Sequence, residues 1–320
     1  MCKYTRRDFV VSSAATGLLL LQSQRLAAAD PAPAGKPVNM TIARWKGAAQ
    51  AAATNEGIAK VAGQLAKEAI GGLGGMKRFV KRGDVVWVKP NIGWDRKPEQ
   101  AGNTNPEVVA AIVKMCFDAG AKTVKVGDNS VNPAVRTYAA SGIAEAVKPL
   151  GAELVYLDKD RYKQVDIKGE RVKLMLLYPD IIDCDLVINV PIVKHHVLSN
   201  ATMAMKNYMG VMDNRAPFHQ DFSACLTDLT RFMKPQLTVL DAVRVLTAHG
   251  PTGGRLEDVA VRGTVAAGVD IVALDALGLE LLGNPPAATR KAAAILKYAE
   301  KAGLGKVDYH ALAPKEISVA

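Results

Sequence analysis

A chain of 320 residues with 49% hydrophobic and 22% charged side chains has ordinary globular proportions, which excludes a disordered tail, a collagen-like repeat or a disulfide-stapled miniprotein. That length suffices for one large or two medium cores, and with aromatics at 5% the packing must rest on Ala, Val, Leu and Ile. The net charge of +10 is dispersed, with Lys77-Arg78, Lys81-Arg82, Lys122, Lys125 and Arg290-Lys291 interleaved with acidic residues. Such spacing reads as solvated surface. No helix-turn-helix, zinc-finger or aromatic RNA-binding signature accompanies it, so no nucleic-acid partner is expected.

The N-terminal stretch has a composition of its own. Thr5-Arg6-Arg7-Asp8-Phe9-Val10 leads into an apolar run ending at Leu21, and Ala27-Ala28-Ala29 precedes Asp30-Pro31. A basic start, a short apolar run and small residues at a cleavage point describe a removable signal peptide over residues 1–29. The run is shorter than the roughly 20 residues a bilayer span needs, so no stable membrane span is expected after cleavage. The pattern resembles the twin-arginine signal, with Val11 standing where that signal often carries Lys. This resemblance implies a partnership with the twin-arginine export machinery and a periplasmic or otherwise exported location. That route carries folded proteins, often with a cofactor already inserted. A general secretory signal is the alternative. Lys3, Arg6, Arg7 and Arg25 against Asp8 give the segment +3 of the +10, leaving +7 on the rest. Residues 30–37 form a Pro/Ala/Gly linker, and 38–320 the folded domain.

Along that domain, Val38 to Arg44 reads as a strand and Asn55 to Ile70 as a helix. Gly71-Gly72-Leu73-Gly74-Gly75 follows a helix and lacks a Gly-Lys-Ser/Thr ending, so it is a helix stop and not a phosphate loop. Val85 to Val88 is a continuous apolar run, as in a strand buried on both faces, and leads into Lys89-Pro90-Asn91. Pro106 begins a helix that Gly120 stops. Strand Thr123–Val126 leads to Asp128, and a helix over Ala134–Lys148, broken near Gly142, precedes a strand at Leu154–Leu157. Gln164 to Leu177 reads as a hairpin turning at Lys168-Gly169-Glu170, and Leu186–Val190 as a second buried strand. Helices are expected over Thr202–Val211 and Phe222–Met233, then a strand Leu237–Leu240 ending in Asp241. A short strand around Val265 and helices Ile271–Leu282 and Ala287–Ala302 complete the order. Strands separated by helical stretches predict an α/β fold, a largely parallel sheet with helices on both faces. The hairpin and the Gly-rich stretch after Asp241 leave room for a second lobe.

Ligands of open α/β sheets bind beyond the carboxyl ends of the strands. The predicted strand ends carry Lys89 and Asn91, Asp128, Lys194 and His196, and Asp241. Lysines and amides gathered there suit a small anionic ligand such as a carboxylate or phosphate. Taken singly, Asn91 or Asp128 equally reads as a turn cap and Lys89 as a surface lysine. His195, His196, His219 and His249 fall within one third of the chain, which opens a transition-metal site through His219 and His249 as an alternative. In extended backbone His195 and His196 point opposite ways, so only one of them faces the crevice. Removal of the signal leaves Cys116, Cys184 and Cys225 with no C-x-x-C run, so no iron–sulfur cluster of the chain's own is expected.

Val88-Lys89-Pro90-Asn91, Asp185 to Pro191 with Lys194 and His196, Lys206-Asn207, Gly250-Pro251 with Gly254, Gly268-Val269-Asp270 and Ala273-Leu274-Asp275 resemble the domain of unknown function 362 family. Many relatives carry ferredoxin-like cysteine motifs that this chain lacks. The segment from Asp185 to Lys206 is also remotely similar to nickel-pincer lactate racemases. That similarity implies a lysine holding the cofactor at Lys206, a proton-transferring histidine at His196 and a nickel ligand at His219. The chain departs in having Thr202-Met203-Ala204-Met205 where the racemases are Gly-rich.

Whatever the cofactor, a desolvated Lys206 beside other cations serves as base, nucleophile or anchor, and His196 moves a proton. Lys89, Lys194, Asn91, Asn207, Asp128 and Asp241 would contact substrate, with Asp241 and Asp275 also orienting the cations. The sequence thus predicts an exported, cofactor- or metal-dependent enzyme acting on a small anionic metabolite. A non-catalytic periplasmic ligand-binding or redox-partner protein is the other reading.

Overall fold

The computed structural model describes residues 37–49 and 54–320; the expected signal peptide, and the linker before Pro37, lie outside the described residues. Residues Pro37–Ala320 form one compact unit. The hairpin and the Gly-rich stretch belong to it and build no separate lobe.

The chain opens with β1 (Met40–Trp45) and α1 (Asn55–Gly72). The Thr54 hydroxyl caps α1 by accepting from the Gly57 amide at 3.0 Å, and Ile58, Val61, Ala62, Leu65, Ala66 and Ala69 form its buried stripe. β2 (Val85–Pro90) leads to α2 (Pro106–Ala119), which Asn105 caps and Gly120 ends in the left-handed region. β3 (Thr123–Val126) is followed by α3 (Ala134–Ala140) and α4 (Ile143–Val147), parted at Gly142 with φ 72°. Next come β4 (Glu153–Leu154), the antiparallel hairpin β5 (Lys163–Asp166) and β6 (Leu174–Leu177), and α5 (Pro179–Ile182). β7 (Leu186–Val190), β8 (Ile192–His196), β9 (Asn200–Thr202), α6 (Ala204–Asn207) and α7 (Phe222–Met233) carry the chain across the site. β10 (Leu237–Leu246), β11 (Val259–Gly268), α8 (Ile271–Leu282), α9 (Arg290–Lys301) and β12 (Lys315–Val319) close the order.

The main sheet runs β12-β1-β11-β10-β7-β2-β3-β4, with β8 bonded to β10 and β9 to β8. Along that order every pairing is parallel except the two that β11 makes, with β1 and with β10. The sheet is therefore mostly parallel, and helices cover both faces. Val86 and Val88 face one way, onto the core that contains α1 and α2. Trp87 between them faces the other, onto α6, α7 and the hairpin, while Leu240 and Ala242 meet α8. Among the described residues no helix is long and apolar enough to cross a membrane.

Several boundaries differ from the sequence reading for identifiable reasons. The helix expected over Thr202–Val211 is one turn followed by a 3-10 turn over Tyr208–Val211: Asn200–Thr202 is taken by β9, paired with β8, and Asp275 caps the Ala204 and Met205 amides, which fixes the helix start at Ala204. The strand expected at Leu154–Leu157 is only the two residues Glu153–Leu154. β10 does not stop at Asp241: β7 bonds to its first part, and β8, beyond Pro191, bonds to the rest. Asp241 is fully buried in mid-strand, its Oδ2 accepting from the Asn105 amide at 2.7 Å and its Oδ1 from Val243 at 3.0 Å.

Asp241 is thus a brace between β10 and the start of α2 and does not line the cavity at the strand ends, contrary to the substrate contact expected of it. Replacing Asp241 by Ala leaves two buried amides unmet and is expected to cost about 2–5 kcal/mol in urea denaturation, with Asp241→Asn milder. Binding of sulfate by the folded Asp241→Asn protein should match wild type; a large loss of affinity with stability intact would return Asp241 to the site.

Candidate functional site

The elements that meet at one end of the sheet surround a cavity of about 360 Å³. Its walls include Asn91 after β2, Asp128 after β3, Lys194 and His196 on β8, Lys206 and Asn207 on α6, and Arg215 and His219 in the following loop. Parallel strands end together, which is why residues far apart in sequence meet here.

Beneath the cavity lies a buried ion pair. Lys89 is 0% exposed, and its Nζ donates to Asp128 Oδ1 at 2.7 Å and to the Pro90 carbonyl at 2.9 Å. Asp128 Oδ2 accepts from the Ile92 amide at 2.8 Å. Burial pulls the Lys89 ammonium below its usual range, against the pull of Asp128. Lys89 is spent on this pair and does not line the cavity, contrary to the substrate contact expected of it. Backbone passes close by at Gly210, where an added Cβ would stand 1.7 Å from Asp128 Oδ1 and 2.6 Å from Lys89 Nζ.

Three asparagines link the strand ends. Asn91 donates to Asn207 Oδ1 at 3.0 Å, Asn207 donates to Asn189 Oδ1 at 2.8 Å and to the Lys89 carbonyl at 3.2 Å, and Asn189 donates to the Ala204 carbonyl at 2.9 Å. Asn91 Oδ1 remains as acceptor for Lys194 Nζ at 2.9 Å, and Lys194 also donates to the Gly102 carbonyl at 2.7 Å. Asp275 secures the start of α6 by accepting from the Ala204 amide and from Met205 at 3.0 Å. Burial pushes its carboxyl up to about 7 against those two bonds. It orients backbone, and through it Lys206, instead of pairing with a cation.

The cations at the cavity have weak partners. Lys206 is half-buried, with Met209 Sδ at 3.6 Å and the Phe222 ring centroid at 5.2 Å. Arg215 donates to the Met209 carbonyl at 3.0 Å and to the Asn129 carbonyl. Among the described residues none of Lys194, Lys206 and Arg215 is in an ion pair. Burial, reinforced by Lys206 and Lys89, lowers Lys194 to about 7. Burial and Arg215 lower Lys206 to about 7.

His196 Nδ1 accepts from the Leu198 amide at 3.1 Å, which assigns the ring proton to Nε2. Burial, then Lys206 and Lys194, hold its pKa down at about 2. The ring is therefore neutral near pH 7 and offers a hydrogen-bond donor, whereas the sequence suggested a proton shuttle. His195 turns away: it accepts from the Gly250 amide at 3.1 Å and borders a different cleft.

His249 lies in that second cleft, 2.8 Å from Asp258 Oδ2, and His219 lines the first. The metal pair expected from His219 and His249 is thus not brought together. Among the described residues no group of three or more His, Cys, Asp or Glu is placed to hold a metal ion. Three cations at the cavity also disfavour a bare divalent ion there on charge. Cys116, Cys184 and Cys225 are free, and burial pushes Cys116 up to about 12, so it is an inert core thiol. Sequence reasoning missed Asn189 and Arg215. Asn189 interrupts an apolar strand, a signal available in the sequence; Arg215 sits in a loop with no local pattern.

The chain is thus an α/β protein with a cationic cavity at the carboxyl ends of a mostly parallel sheet. Residues 86–280 match the family described as domain of unknown function (DUF362), and the chain belongs to that family. It is 31% identical over 225 residues to the thylakoid-associated protein sll1697 of Synechocystis sp., covering 67% of this chain and 68% of that one. Among solved structures it is similar to the lactate racemase apoprotein from Thermoanaerobacterium thermosaccharolyticum, at TM-score 0.43 and 11% identity. The alignment covers 66% of this chain and 52% of the racemase, so the chain spans about half of that protein's length.

The lysine pKa values fix the sign of a pH dependence. Lys194 and Lys206 attract an anion as ammonium groups and lose their protons as pH rises through about 7. Sulfate, whose own charge is constant, should bind best below pH 7 and lose about tenfold or more in affinity by pH 9. Titration calorimetry measures this, and a flat profile would show that neither lysine holds the anion.

Proposed function

We propose that this protein is an exported enzyme that acts on a small anionic metabolite in the cavity at the strand ends. The observation that carries the reading is the trio Lys194, Lys206 and Arg215, facing one cavity with only carbonyl, amide, thioether and aromatic partners. Buried charge without a counter-charge is costly, and a bound anion supplies what the protein leaves out. Lys194 and Arg215 hold the negative group. Lys206, with its pKa near 7, populates both ammonium and free amine at neutral pH and serves as base or nucleophile. His196 donates from Nε2 to oxygen that gains charge in the reaction. An organic cofactor with an anionic group is compatible with this charge; a bare divalent metal is not.

The test is a panel of small carboxylates and phosphate esters incubated with the protein in heavy water and followed by NMR. Wild type should convert, or exchange a proton of, at least one member. Lys206→Met should slow that reaction by about 100-fold or more while keeping sulfate binding within about tenfold. Binding without any conversion by wild type would leave a non-catalytic binder.

Export through the twin-arginine route rests on Thr5-Arg6-Arg7-Asp8-Phe9-Val10 and the apolar run that follows. Replacing Arg6 and Arg7 together by Lys should retain the protein inside the cell. Equal exported amounts of variant and wild type, measured by fractionation, would point to the general secretory route.

A further inference from the structure

The cavity has a polar interior and an apolar lip. Lys194, His196, Asp128 and Asn207 are buried at 1–7% exposure, whereas Val131, Val197 and Leu198, which line the same cavity, are exposed at 53%, 66% and 44%. Trp94 and Pro251 belong to the same wall. Val197 and Leu198 occupy the turn between β8 and β9, where polar residues are the rule. That turn is well fastened. The Val197 amide donates to the Gly250 carbonyl at 3.1 Å, the Leu198 amide to His196 Nδ1, and Lys291 on α9 donates to the Leu198 carbonyl at 3.2 Å and to Asn200 Oδ1 at 2.8 Å. Two adjacent apolar side chains are thus held in water at the mouth of a cationic cavity, and contiguous exposed apolar surface of this kind marks a binding groove.

The volume points the same way. About 360 Å³ accommodates roughly a dozen water-sized groups, several times what a sulfate or acetate would occupy. We infer that the ligand is an amphiphilic anion, with a carboxylate or phosphate end held by Lys194 and Arg215 and an apolar chain laid along Val131, Val197 and Leu198. The inference rests on the anion-binding reading above and names the class of molecule that fills the rest of the site.

Calorimetry with acetate, butanoate, hexanoate, octanoate and sulfate tests it. Affinity should rise along the carboxylate series, reaching at least about tenfold between acetate and octanoate. In the double variant Val197→Ser, Leu198→Ser that gain should shrink to about threefold or less, with acetate affinity unchanged. Because both side chains are exposed, the variant should melt with wild type; if it does not, the wild-type series decides alone. Equal affinity for acetate and octanoate overturns the amphiphile and leaves the anion site standing. A gain that survives the double variant overturns the role of the lip. No binding of any probe, sulfate included, removes both readings.

Discussion

The Lys89–Asp128 pair is the constraint on which the site is built. It joins the end of β2 to the residues after β3, and through Asp128 Oδ2 it sets the direction of the chain leaving β2 at Ile92. Each ion costs several kcal/mol to desolvate, so the pair persists because its geometry and extra hydrogen bonds recover that cost. A lysine without Asp128 in this position would be an uncompensated charge in the core. The approach of Gly210 closes the pair off from above, and no side chain fits between them. The cations that face the cavity, Lys194, Lys206 and Arg215, are a separate set, with uncharged partners.

This division of labour explains how cations are concentrated without collapsing onto carboxylates. Asparagine amides, not acids, connect β2, β7 and α6. They satisfy one another and orient Lys194 without neutralising it. The carboxylates close to the site are turned elsewhere: Asp128 onto Lys89, Asp241 onto the head of α2, Asp275 onto the amides that begin α6. Donors are thereby preorganised toward the cavity, and burial, reinforced by repulsion among the cations, lowers Lys194 and Lys206 to about 7.

Much of this was legible in the residues themselves. Pro106 and Gly120 mark the limits of α2, and apolar runs, broken in β7 only by Asn189, mark β2 and β7, because local sterics and burial decide those elements. Of the residues picked out by the rule that ligands sit past parallel strand ends, Asn91, Asp128, Lys194 and His196 line one cavity while Lys89 and Asp241 do not; Lys206 and Asn207, which came from the family resemblance, line it too. What escaped depends on distant partners. Asp241 is mid-strand because β10 runs on past it between β11 and β8, and its side chain is taken by the Asn105 amide, 136 residues away. The helix expected at Thr202–Val211 starts only at Ala204, because Thr202 pairs in β9 and Asp275, about 70 residues later, caps the Ala204 and Met205 amides. His249 itself adopts φ 51° in the loop after β10 and lines another cleft. No local pattern encodes such bonds.

The edge of the sheet has a consequence for the order in which the protein can be made. β1 is the first strand, yet its partners are β11 and β12, in a register that sets Thr41 beside Ala267 on one side and Lys315 on the other. Its backbone groups therefore wait, during synthesis, for nearly the entire chain to emerge. Domains generally complete as units once their long-range contacts become available, and these contacts are as long in sequence as the fold allows. The earliest strand is thus the last to find its place, and whatever precedes residue 37 is joined to the part of the molecule that finishes late.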